Sequence, residues 1–238
     1  GDIAKLQTAG IVGPSLFGEE GREVLPQVLL QFAGDPYPSI EKGGRITRRA
    51  LELLHDGDVP HAVLTKGSRD LVRRDLSCFN AGRDAIATTI VFADEAKREH
   101  YEPQAETTAG RVDILAMARA RGIETWLSVE PVIDPLEALK VVHWYGQFAD
   151  HLKIGKPNHV RDDVPQAAWQ IFSQNLAGVL WAKRLGYYIN RSLRPAWPRD
   201  VPYHVMPGEP WELRGDRVTE EDLGGWMERG EASIGQGG

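Results

Sequence analysis

At 238 residues the chain is long enough to bury one full core, and it need not divide into two domains. Its 42% apolar and 26% charged content excludes a disordered chain, and a formal net charge of -6 excludes an overall basic field for nucleic acid or an anionic membrane surface. Cys78 is the only cysteine, which excludes an internal disulfide framework and suits a reducing, cytoplasmic setting. No apolar stretch approaches the roughly 20 residues of a bilayer span, and no secretory leader opens the chain.

Residues 1–23 are rich in glycine and polar groups and read as a partly irregular segment. Val28 to Phe32 is the first clear strand. Ile46 to His55 spaces Ile46, Ala50, Leu53 and Leu54 as the inner face of a helix that Gly57 closes. His61 to Thr65 is strand-like, and Arg69 to Phe79 returns to helix with Leu71, Val72, Leu76 and Phe79 inward. Ile86 to Phe92 is β-branched and reads as strand.

Thr107 to Arg121 is a helix with Val112, Leu115, Ala116 and Met117 on its inner face, ended by Gly122. Thr125 to Val129 is a strand, and Pro135 to Tyr145 is a helix with proline at an early position. His151 to Ile154 is a strand, Ala167 to Leu185 the longest helix, and Tyr187 to Leu193 one more short strand. Strands alternating with long helices imply βαβ units and a parallel sheet. The fold class is therefore α/β, an open or partial barrel over residues 24–194. From 195 to 238 proline, glycine, tryptophan and acidic residues replace periodicity, as in an irregular C-terminal extension.

Five apolar runs end in polar clusters, which is where βα barrels carry their chemistry. Asp35, between Gly34 and Pro36, reads equally as a ligand carboxylate or as turn chemistry. Lys66 can grip a carboxylate or phosphate, against the commoner outcome of a surface lysine. Of Thr88 and Thr89 one hydroxyl is expected to face the interior. Glu130, at the end of an apolar strand, must be paired or ligand-facing, and a salt bridge to Lys153 or Lys66 is compatible with both. Lys153, Lys156, Asn158 and His159 crowd the next strand end. Arg45, Arg48, Arg49, Arg69, Arg73 and Arg74 read as solvated helix faces rather than as a basic groove. No HxH, HExxH or CxxC pairing supports a protein-only metal site, and no GxGxxG, GxxxxGK[ST] or GxSxG motif is present.

In order, VLLQFAGDPYP, TRRALELL, AVLTKGSRDLVRRDL, YEP at Tyr101 to Pro103, RVDILAMARARGIETWLSVEPVIDP and LKIGKPNH resemble the radical S-adenosylmethionine superfamily. The nearest branch is similar to the spore-photolyase-like enzymes and their phage-encoded relatives. The resemblance implies a partial (β/α)6 TIM-like barrel, here lacking its first βα unit. It also implies S-adenosylmethionine, a [4Fe–4S] cluster, and reductive cleavage to a 5′-deoxyadenosyl radical that abstracts hydrogen from an unknown substrate.

By that resemblance Ala33, Gly34 and Asp35 meet the methionine amino group and Lys66 its carboxylate. Thr88, Ser128 and Glu130 line the ribose and adenine, with Lys153 beside them. No catalytic residue is assigned. The family's CxxxCxxC, whose thiolates hold the cluster, is absent.

The leading expectation is a truncated radical enzyme. The alternative is a non-catalytic barrel binding S-adenosylmethionine, a small molecule or a partner. A Schiff-base lyase using Lys66 or Lys153 with Glu130 ranks third. The expected partner is a small-molecule cofactor, with nucleic acid as substrate only by family analogy and no membrane.

Overall fold

The computed structural model describes residues 12–13, 27–30, 34–157 and 164–210. Strands β1 (Val12–Gly13), β2 (Gln27–Leu30), β3 (His61–Thr65), β4 (Ala85–Thr89), β5 (Glu124–Val129), β6 (His151–Ile154), β7 (Gly186–Ile189) and β8 (His204–Val205) run in that chain order. Between them lie helices α1 (Glu41–Gly44), α2 (Ile46–Asp56), α3 (Arg69–Asp75), α4 (Glu95–Tyr101), α5 (Thr108–Arg119), α6 (Pro135–Tyr145) and α7 (Gln166–Ala182). Two compact units divide the chain: Gly1–Thr89 with Glu102–Trp126, and Ile90–Tyr101 with Leu127–Gly238.

In the first unit β2, β3 and β4 are parallel, with Leu30 beside Val63 and Thr65 beside Thr88, while β1 joins β2 antiparallel. The pleat sorts side chains by parity. Val63 and Ile86 join Leu51, Leu71, Val72, Ile114 and Ala118 in the core beneath the helices. Ala62, Ala85, Ala87 and Trp126 form a separate cluster on the other face. In the second unit β6 and β7 are parallel, with Lys153 beside Tyr188, and β8 closes the edge antiparallel. Parallel strands with helical crossovers make this an α/β fold of the open, partial TIM-like barrel kind, as expected.

Local chemistry sets the helix ends. Asp134 caps α6 by accepting from Leu136 N and Glu137 N, directly before Pro135. Thr107 caps α5 through Gly110 N, and Gly122, at φ +71, ends that helix as its glycine predicts.

Several expectations need correction. Ile46 and Leu53 are 74% exposed, and α2 instead buries Thr47 and Leu51. The reason is polar anchoring. The buried Glu41 carboxylate accepts from Ile46 N, Thr47 N and Arg48 N, which rotates the helix onto its polar edge. Ala116 on α5 is exposed, and Ile114 and Ala118 take the inner positions. The strand β4 stops at Thr89, although Ile90 to Phe92 remain buried.

Helices α1 and α4 had no apolar periodicity to announce them. The described part of the C-terminal extension is largely irregular, apart from a 3-10 turn over Arg194–Ala196 and β8, yet it buries Trp197, Val201 and Val205. Arg48 and Arg74 are not simply solvated: both bind the fully buried Asp75, and Arg74 also binds Glu41. Residues 211–238 lie outside the described residues.

Candidate functional site

The strand ends of the first unit carry a dense polar assembly. Asp35 follows β2, and its Oδ1 accepts from Tyr37 N (2.8 Å) and the Thr65 hydroxyl (2.6 Å), while Oδ2 accepts from Lys66 N (2.6 Å). Its carboxylate thus ties the loop after β2 to the end of β3, which is the turn chemistry of the sequence carried across strands. The glycine that permits the close approach is Gly67, where an added Cβ would lie 2.5 Å from the Tyr37 carbonyl oxygen. At Gly34 a Cβ would meet nothing within 4 Å. Ala33 lies outside the described residues.

Lys66 extends from the end of β3 to Glu102, with Nζ 2.5 Å from Oε1. The other Glu102 oxygen lies 2.7 Å from the guanidinium of Arg111, a side chain with no exposure. Arg111 also donates to the carbonyl oxygens of Thr89 (2.7 Å) and Glu106 (2.7 Å). Burial raises the Glu102 pKa, but Arg111 and Lys66 outweigh it and hold the carboxyl below the usual carboxylate value. Glu106 closes the same loop by accepting from Arg69 N (2.9 Å) and Thr107 N (3.0 Å). Sequence reasoning used the YEP tripeptide only as a family mark; its glutamate is the acid that holds Lys66.

Thr88 shares the parity of Ile86 and lies on the helix-facing side, donating to the Thr65 carbonyl (3.0 Å). Thr89 has the other parity, that of Ala85 and Ala87. A run apolar on both faces hides in the sequence which parity joins which packed layer. A cavity of about 690 Å³ adjoins these residues, lined among others by Asp35, Lys66, Gly67, Ser68, Lys42 and Gln104.

In the second unit Ser128 is buried near the end of β5, and its carbonyl accepts from Ile90 N (3.0 Å). Glu130 follows, joined to Pro131 by a cis peptide bond. Its carboxylate accepts from Asn190 Nδ2 (2.7 Å) and pairs with Lys153 Nζ at 3.3 Å. That is the expected salt bridge, with Lys153 rather than Lys66.

Gly155 makes room for this pair, since a Cβ there would lie 2.6 Å from both Glu130 Oε1 and Asn190 Cβ. Asn190, at the end of β7, is a direct partner of Glu130. Lys156 places Nζ 4.4 Å from the centre of the Trp169 ring. Asn158 and His159 lie outside the described residues.

No protein-family model matches the chain, and no curated protein does. Among solved structures it is similar to SuiB of Streptococcus suis, with a TM-score of 0.51 at 10% identity over 72% of this chain and 40% of that one. The same values hold for SuiB bound to S-adenosylmethionine, of which 41% is covered. A cysteine-to-alanine mutant of spore photoproduct lyase matches over 96% of this chain and 62% of its own at 15% identity, with a TM-score of 0.40 that carries no weight. The chain thus spans about 40% of the length of SuiB. The fold expected from the motif order is the fold found.

Proposed function

We propose that this chain binds S-adenosylmethionine at its strand ends, as part of a radical S-adenosylmethionine enzyme. The observation that carries the reading is the fold shared with SuiB, solved with S-adenosylmethionine bound, together with a polar assembly at the strand ends where such folds keep ligands. In the first unit Lys66 Nζ gives one of its three protons to Glu102 and keeps the others for a carboxylate at the cavity. The backbone beside Gly34 is open to an ammonium, and the Asp35 carboxylate holds that backbone in place. In the second unit Glu130 is set by Asn190 and Lys153 at its own strand end.

Residues of this sequence do not fit a [4Fe–4S] cluster. Cys78 is the sole thiol, 4% exposed on the helix side of the first unit, and burial pushes its pKa up. Among the described residues no three metal-ligating side chains come together. Reductive cleavage of the cofactor would draw on ligands other than these, and the reading for this chain rests on binding and orientation.

Calorimetric titration with S-adenosylmethionine tests it. Binding is expected, and Lys66→Ala should weaken it about 5- to 30-fold, the value of one charge-assisted contact. A folded chain that gives no heat at millimolar ligand would refute the reading.

A further inference from the structure

The cavity of the first unit offers more than the cofactor reading uses. At about 690 Å³ it has the size of a pocket for a whole small molecule. Two carboxylates on its wall are already occupied by the protein's own donors. Asp35 accepts from Tyr37 N, Lys66 N and the Thr65 hydroxyl; Glu106 accepts from Arg69 N and Thr107 N. What the wall still presents to a ligand is a set of donors: the Lys42 ammonium, the Ser39 and Ser68 hydroxyls and the Gln104 amide. Lys42 is the decisive member. Its neighbour Glu41 is 3% exposed and bound to Arg74 and to the first N–H groups of α2, so it does not neutralise Lys42. Among the described residues no carboxylate lies within ion-pair distance of Lys42, whereas Lys66, which lines the same cavity, is paired with Glu102.

We propose that this cavity binds a phosphate group of a second ligand, separate from the cofactor, with Lys42 as its principal cation. A compact ammonium flanked by hydroxyl and amide donors, with no guanidinium fork, suits a tetrahedral phosphate held as a point charge. The site adjoins the cofactor end at Lys66 and does not depend on that reading. Binding is expected to weaken as salt is added, since Lys42 is exposed.

The test is a titration of the ¹⁵N-labelled chain with inorganic phosphate to tens of millimolar, followed by the amide resonances of Ser39, Lys42, Gly67 and Ser68. Those resonances should shift saturably, and Lys42→Gln should lower the affinity about 3- to 10-fold, the value of one partly screened charge. Lys183→Gln, in the second unit just past the end of α7, should leave it unchanged. Absence of shifts at these amides, equal affinity in K42Q, or an equal loss in K183Q would each overturn the proposal. Affinity for S-adenosylmethionine, measured on the same K42Q protein, separates the two readings. Cofactor binding without phosphate binding removes only this inference, and phosphate binding without cofactor binding removes only the other.

Discussion

The two units hold their strand-end acids in different ways. In the first, Asp35 and Glu106 are held largely by backbone N–H groups, and Glu102 sits between Lys66 and the buried Arg111. In the second, Glu130 is held by two side chains, Asn190 and Lys153, each of which has rotamers to give. Backbone donors cannot turn away, so the first assembly is part of the fold; the second can rearrange around a ligand without moving a strand. The difference assigns rigid positioning to the first unit and adaptable contact to the second.

Arg111→Ala should break the comparison most sharply. It would leave Glu102 buried and deprive the Thr89 and Glu106 carbonyls of a donor, and should cost about 3–5 kcal/mol in urea unfolding. Removing Lys153 from the exposed side of Glu130 should cost well under half of that. Equal losses would show that the two assemblies are equally structural.

Acid should divide the units next. His151 in the second unit is pushed down from 6.5 to about 3, first by burial and then by His204. The unfolded chain takes up a proton below pH 6.5 that the folded state refuses. Stability is therefore intact above that value and falls as pH drops toward 3, by about 3 kcal/mol at pH 4. Glu102 in the first unit behaves otherwise. Its lowered pKa stabilises the fold at neutral pH, and that contribution disappears only as pH falls through its depressed value. Hydrogen exchange measured from pH 7 to 4 should therefore show β6 loosening before the end of β3. Simultaneous loosening would contradict the assignment.

A pair of glycine substitutions compares the two units by packing alone. Gly67→Ala drives a Cβ against the Tyr37 carbonyl, which is backbone, and should cost about 2–3 kcal/mol. Gly155→Ala meets the carboxylate end of Glu130 and the Asn190 side chain, and should cost about 1–2 kcal/mol. Thermal denaturation of both variants decides the order, and a larger loss in G155A would reverse the assignment of rigidity.

Much of the element order was legible because apolar periodicity and capping residues act locally. Pro135–Tyr145 and His151–Ile154 appear with the bounds their patterns predict. The face of α2 was not legible, since a contact with the distant Asp75 and a cap from Glu41 overrode the stripe of Ile46 and Leu53. Parity in β4 was hidden for a related reason: with both faces buried, Thr88 and Thr89 look alike in one dimension.

The candidate site divides along the same line. Asp35, Lys66, Glu130 and Lys153 could be placed at strand ends from the sequence, because an apolar run ending in a charge marks the end of a buried strand. Their partners could not. Glu102 reaches Lys66 from 36 positions away in the chain, and Asn190 reaches Glu130 across 60. By itself the sequence determined the α/β class, the order of the strands and which charges stand at their ends, because periodicity and turn chemistry depend on neighbours in the chain. Only the tertiary structure decided which of those charges are already satisfied and which remain for a ligand, because pairing depends on distances that the folded backbone alone creates.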